Sequence, residues 1–247
     1  MKRRTFNQSL TLAALYGAGE SAAERHAEAA ALPDLPLYRS VTKFPRAASP
    51  FSRPGEVTSV HAAASIDVDS EQVNVPVVRE MMAQGMRSLT GDKETRDAWA
   101  RFISPSDVVG IKVNCSGAPG IMSTPEVVAE IVNNLIAVGV APERITIYER
   151  FLDQVESVHY DRYVPKGVHV EVVELLRRSI LRYDPDTYVE VDFFGEDDTR
   201  SNMVRMVTER FTKIINVPNM KDHGAAGVTG CLKNIAYGNF SNVARSH

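Results

Sequence analysis

Asp107-Val-Val-Gly-Ile-Lys-Val-Asn114, then Thr124-Pro125-Glu126, then Arg144-Ile-Thr-Ile-Tyr-Glu149 set the architecture of this chain. The first run is apolar and of strand length. Thr124, Pro125 and Glu126 supply an N-cap, a first-turn proline and a first-turn acid, so a helix is expected to begin there. Val127, Ile131 and Leu135 recur on one face of it, Val128 and Val132 widen the stripe, and Gly139 provides the stop. Arg144 to Glu149 is the next strand, and an intervening helix makes the two strands parallel with a right-handed crossover. Ligands of such sheets bind beyond the carboxyl ends of the strands. Asn114-Cys115-Ser116-Gly117 and Glu149-Arg150 are therefore expected on one rim.

The same rim receives a third loop. Lys213-Ile-Ile-Asn-Val217 reads as a buried strand, and Pro218 to Asn234 crowds Lys221, Asp222, His223, Cys231 and Lys233 around Gly224, Gly227 and Gly230. Glycine lets backbone N–H groups approach a ligand, and a helix starting near Thr229 would add its positive end. The loop is expected to seat an anion or a cofactor.

Outward from this centre the signals are more general. Glu56 to Ile66 reads as a first strand and Val73 to Leu89 as a helix with Val77, Met81 and Met82 on its core side; Trp99 falls in a second helical stretch, Arg96 to Ile103. Val168 to Val173 and Tyr188 to Phe194 alternate as strands do. The expected fold class is α/β, a largely parallel sheet flanked by helices, with a β-hairpin or mixed extension. Arg177-Arg178 and Glu196-Asp197-Asp198 read as solvated faces. No repeat or low-complexity tract appears.

Composition narrows the function classes. The chain has 247 residues, 44% of them hydrophobic, and a net charge of −3, so it can bury a large core but offers no general basic field for nucleic acid or an anionic membrane. A small molecule is the better partner. The two cysteines, Cys115 and Cys231, are too few for the four thiolates of an ordinary iron–sulfur cluster, so a cluster would need another chain. No serine-hydrolase elbow, Walker loop or full dinucleotide fingerprint is present.

The N-terminus reads as an address. Lys2-Arg3-Arg4-Thr5-Phe6 precedes the mildly apolar run Leu10 to Ala18 and the small residues Ala29-Ala30-Ala31, an order that resembles a twin-arginine export signal and implies a periplasmic location. The apolar run is too short to span a bilayer, so no transmembrane anchor is expected. The organisation is then a signal segment over 1–31, a Pro-rich connector over 32–55 and an α/β domain over 56–247.

Candidate roles follow from side-chain chemistry. An imidazole ordinarily titrates near neutrality, so His223 is able to serve as a general base or a metal ligand. Asp222 is a positioning candidate beside it. Lys221 and Lys233 suit a carboxylate or phosphate, and Lys233 would become a nucleophile if desolvation lowered its pKa. Gly227, Thr229, Gly230, Asn234, Lys112 and Asn114 complete the expected binding set. An ammonium inside an apolar strand is costly unless paired, so Lys112 is expected to reach Glu149. Cys115 and Cys231 are expected as soft metal ligands, a redox pair, a disulfide or free thiols.

Trp99, Asp107 to Asn114, the helix from Thr124 through Gly139, and Lys221-Asp-His223 followed by Val228-Thr-Gly-Cys-Leu-Lys-Asn234 together resemble the family called domain of unknown function 362. The similarity runs from about Pro54 to the C-terminus. That resemblance implies an exported protein with an iron–sulfur or redox protein as partner. Two departures stand out: Glu149-Arg150 occupies the place of an Asp-Arg pair, and the chain stops at His247 while the motif still continues, so a longer natural chain is expected. The spacing His223-x-x-x-Gly227-x-Thr-Gly230-x-x-Lys233 is also similar to nickel-pincer lactate racemases, which implies cofactor attachment at Lys233 and proton transfer by His223. The leading expectation is a metal- or cofactor-dependent enzyme, with a redox link, acting on a small anionic molecule. An isomerase or racemase with a lysine-tethered cofactor, and a non-catalytic accessory to an iron–sulfur partner, are the alternatives.

Overall fold

The computed structural model describes residues 38–41, 55–174, 182–191, 200–224 and 227–242. The chain divides into two compact units, 1–38 and 39–247, and the second holds the sheets and helices described below. The expected signal segment, the Arg177-Arg178 pair and the acidic run at 196–198 lie outside the described residues, as does the connector over 32–55 apart from a short strand β1 (Tyr38–Val41) and Gly55.

Four parallel strands form the main sheet: β2 (Val109–Val113), β3 (Ile145–Phe151), β4 (His169–Glu174) and, after the pair β5 (Tyr183–Val191) and β6 (Arg200–Val204), β7 (Lys213–Val217). The order is β4-β3-β2-β7. Register aligns the strand ends: Lys112 lies opposite both Tyr148 and Asn216, and Val113 opposite Val217. The loops after β2, β3 and β7 therefore leave the sheet along one border, the rim that the sequence implies. β7 was expected to be buried, but it pairs only with β2 at the edge, which leaves Ile214 exposed.

Period-two alternation explains the two layers. Val109, Ile111 and Val113 of β2 and Ile145 and Ile147 of β3 enter one core, closed by α3 (Pro125–Val138) through Val128, Ile131, Val132 and Leu135. Preceding helices α1 (Val75–Thr90) and α2 (Thr95–Ala100) pack on α3 and on each other, and Trp99 joins this core. Gly139 stops α3 at φ 113°. Thr124 occupies the N-cap position without a side-chain cap bond, so Pro125 and Glu126 carry the start.

The intervening residues of the same strands face the other layer. Tyr148 and Val173 pack with Tyr183 and Val204, and a side chain at Gly110 would meet the Phe211 ring at 2.5 Å. Lys112 projects to this side too, beneath a C-terminal helix.

One expected strand is corrected. Among the described residues Glu56 to Ile66 makes only one bridge, Ile66–Val73, and contains a short 3-10 turn, Ala63–Ser65, because its Ala62-Ala63-Ala64 centre offers little side-chain surface to pack in a sheet. Val168 to Val173 gives the expected strand, β4, which extends the parallel sheet beside β3, and the antiparallel extension is the pair β5 and β6.

Candidate functional site

The loop after β7 is more ordered than a connecting loop. Lys221–His223 (β8) and Gly227–Thr229 (β9) pair antiparallel, with Lys221 opposite Thr229 and His223 opposite Gly227, and helix Cys231–Asn239 (α5) follows directly. In a strand of three residues the outer two share a face. Lys221 and His223 accordingly line a cavity of about 200 Å³ at the rim, whereas Asp222 is exposed and does not line it. The structure does not bring Asp222 into the cavity with the histidine.

β2, β3 and α5 supply the other walls. Lys112, Asn114, Ser116, Glu149, Arg150 and Phe151 come from the sheet rim, Gln154 from the short helix α4 (Leu152–Glu156), and Lys233, Asn234, Tyr237 and Gly238 from one side of α5. Four of the lining residues carry positive charge. Their partners decide what the cavity attracts.

Lys112 is consumed at the floor. It is 1% exposed, and its Nζ donates to Glu149 Oε1 at 2.7 Å, to the Val113 carbonyl at 2.6 Å and to Asn234 Oδ1 at 3.2 Å, using all three of its hydrogens. Glu149 also accepts from the Arg150 N–H at 2.6 Å and the Cys115 N–H at 3.3 Å. α5 comes this close because position 238 has no side chain: a Cβ on Gly238 would sit 2.0 Å from Lys112 Cε. Asn234 returns two bonds from its amide, to the Lys112 carbonyl at 3.3 Å and to Asn216 Oδ1 at 2.7 Å.

Arg150 is consumed at the side. Its guanidinium pairs with Glu174 at 2.8 Å and donates to the carbonyls of Tyr237, Phe240 and Ser241 at 2.9, 3.0 and 3.0 Å. It thereby satisfies orphan carbonyls at the C-terminal end of α5, where positive charge is favoured.

Lys221 and Lys233 remain. Lys221 donates to the Ser116 carbonyl and, at 3.4 Å, to Asn114 Oδ1, tying the hairpin to the loop after β2. Lys233 lies 5.0 Å over the Tyr237 ring. Neither forms an ion pair with a carboxylate among the described residues. Burial, and then the charge of Lys221, hold the Lys233 ammonium below the usual lysine range.

The remaining expected residues fall into place around this geometry. Thr229 is buried and lines the cavity, its hydroxyl donating to the carbonyls of Asn219 and Lys221 at 3.4 Å each. Gly227, at φ 74°, serves the hairpin turn, and Gly230 precedes α5; neither is a lining residue. α5 starts at Cys231 and meets the cavity with its side, so ammonium groups rather than helix N–H groups face a ligand. Cys115 is buried with its thiol 3.8 Å from the Tyr160 hydroxyl, and burial together with the Glu149 charge pushes that thiol up to about 12. Cys231 is exposed, and both thiols are free. Of the alternatives for the two cysteines, free thiols are what the structure shows: one sulfur is enclosed against Tyr160 and the other is open to solvent. Among the described residues no three of His, Cys, Asp and Glu converge as a metal site requires, so His223, Cys115 and Cys231 do not assemble the expected metal centre from this chain alone.

Arg150, Tyr237 and Gly238 had no role assigned from sequence. A glycine inside a helical run was the available signal for Gly238. Among the described residues no helix is long and apolar enough to cross a membrane. A family model described as "Domain of unknown function (DUF362)" matches residues 109–247, the stretch that holds β2 through α5 and every lining residue of the cavity. No curated protein and no solved structure matches the chain.

Proposed function

We propose that this chain, which belongs to the DUF362 family, binds a small anionic molecule in the rim cavity and that His223 exchanges a proton with it. One observation carries the reading. Of the four cations lining the cavity, Lys112 and Arg150 are neutralised by buried carboxylates, while Lys221 and Lys233 have none among the described residues. Two ammonium groups facing one hollow attract an anion, and the imidazole on the same face of β8 lies beside it, a side chain able to give or take a proton.

The roles divide simply. Lys221 and Lys233 bind the anion, His223 moves a proton, Asn234 and Glu149 hold Lys112, and Thr229 fixes the two strands that carry Lys221 and His223. Native mass spectrometry of protein purified from its own host should show a bound small anion that is lost in a Lys221→Met/Lys233→Met variant. An unliganded wild-type protein, or retention in the double variant, would overturn the assignment.

A second reading has a specific observation behind it. Lys233 faces the cavity with its free amine favoured by burial and by Lys221, as a lysine that forms a covalent bond to a cofactor requires. The chain would then be an isomerase or racemase with a tethered cofactor. An intact-mass adduct located at Lys233 supports it, and an unmodified Lys233 in host-purified protein removes it. Export through the N-terminal arginine pair is a further proposal, and replacing Arg3 and Arg4 by lysine should leave the protein in the cytoplasmic fraction.

A further inference from the structure

We infer that the ligand of this cavity is a compact dianion, a single phosphoryl or sulfuryl group or a short dicarboxylate, bridged between Lys221 and Lys233. The inference rests on the anion-site reading above and narrows it.

Three observations lead there. First, the available cations are point charges. Arg150, the one guanidinium in the lining, spends its donors on Glu174 and three helix carbonyls, so no planar fork is left for a monocarboxylate. Second, the space is small: about 200 Å³, below the roughly 300–1,000 Å³ of sites that enclose drug-sized ligands. A compact charged group fits, and a larger molecule would have to leave its remainder outside. Third, the two ammonium groups feel each other, since the charge of Lys221 is one of the two influences that disfavour a proton on Lys233. A monoanion offsets one positive charge. A dianion offsets both and removes the repulsion between them.

Proton linkage follows. Free protein holds Lys233 below its ordinary range, and a bound dianion raises it, so binding takes up a proton at pH values between the free and bound pKa. Affinity is then greatest below the free pKa, falls as pH rises from the free to the bound pKa, and levels off above it.

Calorimetric titration at matched ionic strength, pH 8, tests the inference with inorganic phosphate, sulfate and malonate against acetate and nitrate. The dianions should bind at least tenfold more tightly than the monoanions. Lys221→Met and Lys233→Met should each bring that ratio close to one, whereas Lys233→Arg, which keeps the charge, should preserve it. Titrations repeated in steps of rising pH, in buffers of different ionisation enthalpy, should reach a range in which the wild type takes up a proton on binding and Lys233→Met takes up none. Acetate binding as tightly as the dianions, or a preference that survives both methionine substitutions, overturns the dianion while leaving the anion site standing. If no anion of either charge binds, the broader reading falls with it.

Discussion

The Nζ of Lys112 lies 2.7 Å from Oε1 of Glu149, and the two side chains are 1% and 7% exposed. They come from adjacent parallel strands whose register brings their ends together. A buried pair of this kind contributes little net stability, because desolvation offsets most of the attraction, but removing one member strands the other.

Lys112→Met and Glu149→Leu should therefore each cost about 3–5 kcal/mol, and the double substitution Lys112→Met/Glu149→Leu should be far less harmful than the sum of the singles. Urea unfolding of the singles and the double checks this. Additive losses would show that the two groups do not act as a pair.

Gly238→Ala separates helix propensity from close approach. Propensity alone favours alanine by roughly 0.5–1 kcal/mol in a helix interior. A Cβ 2.0 Å from Lys112 Cε reverses the sign, so the variant should lose about 1–3 kcal/mol through overpacking. Thermal melting decides between the two signs.

The thiols should differ sharply in reactivity. Cys231 is exposed, whereas Cys115 is enclosed and its thiol is pushed up to about 12, which leaves almost no thiolate at neutral pH. Iodoacetamide is expected to label Cys231 in the folded protein and Cys115 only after denaturation, as read by peptide mass spectrometry. Equal labelling would contradict the enclosure of Cys115.

Lys233 carries the clearest pH signature. Its pKa is lowered by burial and by Lys221, so its free amine forms at lower pH than that of an ordinary lysine. The matching stability penalty is fully present below the folded pKa and disappears as pH rises above the unfolded value. Trace acetylation across pH should give Lys233 an early midpoint, and Lys221→Met should move that midpoint upward. A midpoint indifferent to Lys221 would mean that the two ammonium groups are not neighbours.

Much of this arrangement was legible in the residues. The apolar run at Asp107 to Asn114, the helix bounded by Pro125 and Gly139, and the run ending at Glu149 dictated a parallel unit, and the cost of an unpaired ammonium in a strand identified Glu149 as the partner of Lys112. Lys221, His223, Thr229, Lys233 and Asn234 meet in the cavity as the crowded loop suggested. Sequence spacing could not show that Pro218 to Asn234 contains a hairpin, because three-residue strands are too short to display a period. That hairpin turns Asp222 away from its neighbours. Nor could it show β7 at the sheet edge or β4 beside β3, since strand order depends on long-range pairing. Arg150 escaped assignment for the same reason: its partners lie on β4 and at the far end of α5, many residues away.

Arg150 has a mechanical consequence. α5 is fastened at its last turn by that guanidinium and at its first residue by Asn216, whose amide donates to the Cys231 carbonyl at 2.8 Å. The helix is a beam clamped at both ends to the strands beneath it. Adjustment to guests of different shape therefore falls to the rotamer of Lys233 on this helix and to Lys221 on the neighbouring hairpin, while the helix keeps one fixed span.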